Sequence, residues 1–255
     1  MDNLITYEQP LNERIRTLMR LEHLFQQAAY TLRGYSVWDS RASLSSLIDI
    51  LDILGRVDLK TELFKELERL QAALSKVSGK AGVDEEQLQS ILGQLVKAQT
   101  ALQQISGQPG QSLKDEELIS NLRQRGTLAG GNCHFDLPNY HFWLQQSPEN
   151  RIDTLETWFD QLTTVQQAVT LVLGIIRESN VPHKAMAEQG FYQQNLETQF
   201  PHQLIRVSIE SDLPYFAEIS AGKHRLTIRF LEPRSSARPL QAEKDVHFQL
   251  TCCAI

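Results

Sequence analysis

Between residues 128 and 144 the chain reads LAGGNCHFDLPNYHFWL, which brings Cys133, His134, Asp136 and His141 into one short stretch. Thiolate, imidazole and carboxylate are the ligands of zinc, and a thiol beside an imidazole is what a cysteine nucleophile requires. Cys252 and Cys253 near the chain end would complete a metal set. The spacing argues against it: adjacent strand residues point to opposite faces, so these two cysteines do not readily share one ion. No CxxC or HxxxH pair occurs, nor does GxGxxG, GxxxxGK[ST], GxSxG or HExxH. Taken as a strand over 132–137, NCHFDL places Cys133, Phe135 and Leu137 on one face and His134 and Asp136 on the other. Cys133 is then a small apolar core residue, and Cys252 has the same phase in the last strand. The expectation is core thiols with no metal and no cofactor. The competing expectation is a cytosolic metal- or thiol-dependent enzyme using Cys133, His134 and His141.

Arginine supplies the other chemistry. Arg16 and Arg20 lie one turn apart on the polar side of a helix, where like charges repel slightly unless an anion approaches. His23 extends the stripe, while Arg123 and Arg125 in RQRG stand at a helix end, favourably placed against its dipole. Each alone reads as a solvated surface charge. Together they make a candidate basic recess for a carboxylate-bearing peptide.

Composition narrows the setting for this chemistry. At 255 residues, 41% hydrophobic and 22% charged, the chain can bury a real core and reads as globular. The longest nearly apolar run, AVTLVLGII (168–176), falls far short of the roughly 20 residues that span a bilayer. The start, MDNLITYEQPLNERI, has no basic-then-apolar signal pattern. A cytoplasmic protein with reduced thiols and no membrane association is therefore expected. A formal net charge of −6 argues against a general nucleic-acid binder.

The elements that must position these residues follow from periodicity. PLNERIRTLMRLEHLFQQAAYTL, with Pro10 in its first turn, aligns Leu11, Ile15, Leu18, Leu21, Phe25, Ala29 and Leu32 on one helical face. DSRASLSSLIDILDILGR gives a second helix. DLKTELFKELERLQAAL and DEEQLQSILGQLVKAQTALQQI give a helical hairpin capped by Asp58 and Asp84 and turned by SGKAG. SGQPGQS (106–112) reads as a linker to a short helix ending in NLRQRG, and PENRIDTLETWFDQL and VQQAVTLVLGIIRES return to helical spacing. The last quarter alternates: LIRVSIE, HRLTIRFL and DVHFQLTCC read as antiparallel strands, with SAGKH as a hairpin turn. The expected fold class is α+β. An all-helical domain (1–125 with 148–180) is joined to a small antiparallel β-strand domain (126–147 with 181–255).

Six motifs carry a resemblance: PLNERIRTLMRLEHLFQQ, KTELFKELERL, LRQR…GGNCHFDLPNYHFWL, GFYQQNL, ISAGKHRLTIRF and FQLTCC. From about residue 5 to residue 253 the chain resembles the ZapD family of cell-division factors, in motif order and nearly in spacing. The resemblance implies a homodimer formed through the helical domain, with no catalysis. It also implies binding to the C-terminal tail of FtsZ, crosslinking and bundling of FtsZ filaments, a lower FtsZ GTPase rate, and a place at mid-cell on the Z-ring. In the family, tail recognition relies on basic residues near the junction of the two domains. Arg20 and His141 match such positions, and Arg16, Arg123 and Arg125 join them from their place in the basic pattern. Where the family can carry arginine before LISNLRQR, this chain has Glu117, with Lys114 one turn earlier as a substitute.

Overall fold

Capping side chains followed by apolar stripes start most of the chain's helices, and alternation takes over near its end. The computed structural model describes residues 3–56, 58–80, 82–126, 130–197, 201–222 and 224–255, and among the described residues there are nine helices and eight strands. The chain folds as two compact units: Thr17–Val172, which is helical, and Met1–Arg16 with Leu173–Ile255, which carries the strands. The α+β class expected from the sequence is the class observed.

The helical unit is built on α1 (Glu13–Thr31) and α2 (Val37–Arg56). Along α1, Leu18, Leu21, Phe25 and Ala28 are buried, while Ala29, expected on the apolar face, is exposed. Leu44, Leu47, Ile50, Leu51 and Leu54 form the buried stripe of α2, each contributing about 1.5–3 kcal/mol on burial. The turn before α2 is set by a reciprocal cap. Ser36 Oγ accepts from the Asp39 amide at 3.1 Å, and Asp39 Oδ2 accepts from the Ser36 amide at 3.1 Å. A Cβ on Gly34 would sit 2.2 Å from the Asp39 carboxyl carbon, so only glycine lets the chain pass the cap so closely. The hairpin of α3 (Leu59–Ser75) and α4 (Glu85–Gln104) is as expected, and Asp58 and Asp84 accept from the Thr61 and Gln87 amides at their N-termini. Short helices α5 (Gln111–Asp115) and α6 (Glu117–Arg125) follow, the first beginning inside the stretch expected to be linker.

Residues 132–137 are not a strand. The Cys133 amide donates to Gly130 O, and the Asp136 and Leu137 amides both donate to Cys133 O, so the segment closes on itself in turns. Pro138 then opens α7 (Pro138–Leu144), its missing N–H harmless at the first helical turn. Pairing needs a partner edge, and the local turn satisfies these amides without one. Residues 130–147, expected in the β-strand domain, therefore lie in the helical unit. Thr127–Ala129 of the same motif lie outside the described residues. Next come α8 (Pro148–Asp160), capped by Ser147 and packed against α2, and α9 (Thr163–Arg177). The boundary between the units falls inside α1 and α9.

The strand unit holds two antiparallel sheets. One is β1 (Leu4–Pro10), β4 (His202–Glu210), β8 (Val246–Ala254) and β2 (His183–Ala187), in the order β1-β4-β8-β2. The other is β3 (Phe191–Asn195), β6 (Arg225–Glu232) and β5 (Phe216–Ala221), with β7 (Leu240–Gln241) also on β6. The alternating residues of β4, β6 and β8 meet in a shared core of Ile205, Val207, Ile228, Phe230, Phe248 and Leu250. Pro10, expected in the first turn of a helix, instead ends β1. It is tolerated there because β1 is an edge strand, and Asn12 Oδ1 caps α1 by accepting from the Ile15 amide. In β8 the buried cysteine is Cys253, and Cys252 is half-buried, the reverse of the expected phase. Thr251 and Cys253 are buried as well as Val246, Phe248 and Leu250, so both faces of the strand's end are covered. Phe230→Ala is expected to lower the strand unit's stability by about 3–5 kcal/mol, since Phe230 is fully buried and touches Phe248. Denaturant unfolding followed by circular dichroism measures it.

Candidate functional site

Five side chains carry the expected basic site, and they meet different fates. Arg16 pairs with Glu13 one turn back on α1. Arg20 is exposed on α1 and makes no hydrogen bond or ion pair among the described residues. Arg123, on α6, reaches α2 and donates twice to Asp52 Oδ1, at 3.1 and 2.7 Å. Arg125 sits 3.4 Å from Asp136 and ties the end of α6 to the 130–137 turn. His141 is exposed on α7 and lies 5.6 Å from the His134 ring, centroid to centroid. Arg16, Arg123 and Arg125 thus have carboxylate partners at home, whereas Arg20 has none among the described residues.

The substitute cation is engaged as well. Lys114 Nζ donates to Gln108 Oε1 at 3.0 Å, and burial, helped by the nearby Arg123 charge, pulls its ammonium below the usual lysine range. Glu117 occupies the first turn of α6, where a negative charge suits the positive end of the helix dipole.

His141 opens onto a recess of about 710 Å³. Trp38, Arg41, Ala42 and Ser45 of α2 form one wall, and Asn132, Cys133, His134 and His141 form the other. Cys133 is therefore half-buried at a surface opening rather than in the core, and Phe135 is 74% exposed. The competing trio Cys133, His134 and His141 does share this opening. No group of three or more His, Cys, Asp or Glu side chains able to hold a metal occurs among the described residues. Burial pushes the Cys252 thiol up and that of Cys253 to about 11, which leaves little thiolate at neutral pH.

What holds the two walls is Arg151 on α8. It is 3% exposed and, among the described residues, has no carboxylate partner. Its guanidinium donates to Ser40 Oγ at 3.0 Å, to Tyr35 O at 2.8 Å, and to Leu144 O and Gln146 O at 3.3 and 2.5 Å. The first two belong to the start of α2, and the last two to the C-terminal end of α7, where a cation also meets the negative end of the dipole. Beneath the recess the aromatic rings continue inward. Arg41 lies over Tyr140 at 5.1 Å, Tyr140 stacks on Trp143 at 6.1 Å, and Trp143 on Trp158 at 6.2 Å. Trp143 is core, and its indole N–H is buried without an acceptor among the described residues. Sequence reasoning missed Trp38, Arg41 and Arg151. A tryptophan and an arginine three residues apart, just after the Ser36–Asp39 cap, were the available signal for the first two; nothing local marked Arg151.

Fold and site together define a two-unit α+β protein with an open, aromatic and cationic recess on its helical unit. The family model ZapD, a cell division protein, matches residues 19–229. The cell division protein ZapD of Methylococcus capsulatus (strain ATCC 33009 / NCIMB 11132 / Bath) is 45% identical over 255 residues, covering all of both chains. The chain belongs to the ZapD family, and its role lies in cell division. No helix among the described residues is long and apolar enough to cross a membrane.

Arg151→Ala is expected to destabilise the helical unit by about 2–4 kcal/mol, because it strands carbonyls that now accept from a charged donor in one buried and two part-buried bonds. Arg151→Lys restores only part of this, since an ammonium cannot span the same fork of acceptors. Thermal melts of the three proteins measure the order.

Proposed function

We propose that this chain acts as a homodimer that binds the C-terminal tail of FtsZ and crosslinks FtsZ filaments into bundles at the mid-cell ring. It performs no catalysis of its own, and it lowers FtsZ GTPase activity by stabilising assembled filaments. Family membership over the whole chain supports this, and at the site the supporting observation is Arg20. A guanidinium kept exposed on α1, without a partner among the described residues, is available to a partner's carboxylate. His141, exposed at the mouth of the recess, is the second tail contact proposed. Arg16, Arg123 and Arg125 contribute less to the positive field, because Glu13, Asp52 and Asp136 already pair with them.

The mechanism needs geometry rather than bond chemistry. A filament displays many copies of one short tail, and a dimer carries two sites. Once one site is engaged, the second meets a neighbouring filament at raised effective concentration, so weak single contacts sum to firm crosslinking.

Arg20→Ala is expected to weaken co-sedimentation with FtsZ filaments about tenfold or more at an unchanged melting temperature, since charged hydrogen bonds contribute roughly 1.5–3 kcal/mol. Raising salt from about 0.1 M to about 1 M shortens the Debye length from about 10 to about 3 Å and should weaken the wild type in the same direction. A variant that loses stability together with binding would make Arg20 structural instead.

A further inference from the structure

Arg41 is half-buried and pinned between two aromatic faces, 5.3 Å over Trp38 and 5.1 Å over Tyr140, yet makes no hydrogen bond or ion pair among the described residues. Cation–π contact with two rings holds the guanidinium while none of its N–H groups makes a hydrogen bond among the described residues, so much of the cost of ordering a long side chain is met in the fold and not at the moment of binding. The recess beside it contains no acidic residue among the described residues that line it, although the chain carries 31 Asp and Glu against 25 Lys and Arg. Excluding carboxylates from one opening of an acidic protein leaves a local positive field. Trp38 adds a large apolar face at the rim, 76% exposed, on the same turn of α2. A fixed cation next to an exposed indole is the combination that anchors a short peptide by one carboxylate and one apolar side chain.

We propose that this recess receives an acidic side chain of the FtsZ tail on Arg41 and an adjoining apolar side chain on Trp38, which makes Arg41 and Trp38 specificity-determining residues. The proposal rests on the tail-binding function above. Ser45, Asn132 and His141 line the same opening and supply further polar contacts to the bound segment. A cation without a hydrogen-bond or ion-pair partner and a lining without carboxylates, both among the described residues, suit a short acid-bearing segment by charge complementarity.

The test titrates a synthetic FtsZ tail peptide into the full-length protein and follows tryptophan fluorescence. Trp143 and Trp158 are each only 8% exposed, so a saturable shift reports on Trp38. The shift should appear with wild type and vanish in Trp38→Phe. Arg41→Ala should weaken binding about tenfold to a hundredfold with an unchanged melting temperature, and Arg41→Lys should recover part of it. A peptide with Asn and Gln in place of its Asp and Glu should bind wild type as poorly as the native peptide binds Arg41→Ala. If Arg41→Ala binds like wild type while removal of the tail from FtsZ still abolishes co-sedimentation, the tail sits elsewhere and this proposal falls alone. If wild type neither binds the peptide nor distinguishes tailed from tailless FtsZ, both proposals fall. A fluorescence shift that follows protein concentration without peptide would assign the recess to a second copy and overturn it equally.

Discussion

The guanidinium of Arg151 joins the parts of the helical unit from which the candidate site is made. Burying a cation costs several kcal/mol, and no carboxylate among the described residues offsets it. Four neutral acceptors do so instead: one hydroxyl and three backbone carbonyls, drawn from the entry to α2 and the exit from α7. Each of those elements alone is a loose end. The α2 entry is an exposed turn held by the Ser36–Asp39 cap, and α7 spans only Pro138–Leu144. Clamped by one side chain, they become opposite walls of a recess with Trp38 and Arg41 on one side and His141 on the other.

A second constraint is the distribution of charge. The candidate binding cations divide into those whose charge is consumed internally and those left without a partner among the described residues. Arg123 and Arg125 bridge to Asp52 and Asp136 and so hold α6 to α2 and to the 130–137 turn. Lys114 is turned toward Gln108. Arg20 and Arg41 have no such partners among the described residues, one exposed on a helix face and the other held by rings. In a chain with a formal net charge of −6, such arginines are local sources of positive potential. The ring series from Arg41 through Tyr140 and Trp143 to Trp158 ties the surface cation to the core, which favours a preformed site over one that orders on binding.

Much of the architecture was legible in the sequence because it rests on local rules. The 3.6-residue stripes of α2, α3 and α4, the caps at Asp58 and Asp84, and the alternation of β4, β6 and β8 all follow from near neighbours. The errors occurred where a distant contact or a competing local bond decides. NCHFDL alternates like a strand, but its amides are satisfied by turns, and Pro138 begins a helix at once. Pro10 reads as a helix start and is instead the end of an edge strand whose partner lies almost two hundred residues away. Cys253 is buried in place of Cys252 because the far face of β8 is covered too, which no alternation within the strand announces. Of the residues expected from family resemblance, His141 lines the recess, while Arg20 is not among the described residues that line it. Arg151 was not legible, because a buried arginine looks like a surface one until its acceptors, two of them from more than a hundred residues upstream, are in place.

For a member of the ZapD family, the proposed division of labour is that the fold presents cations and aromatics to a tail, and filament bundling follows from having two such sites per dimer. The most direct test is co-sedimentation of the protein with GTP-assembled FtsZ, full-length and lacking its last few tail residues. The expected result is pelleting with bundled full-length filaments and retention in the supernatant with tailless ones. Equal pelleting with both, or with neither, would contradict tail binding as the basis of this protein's role in division.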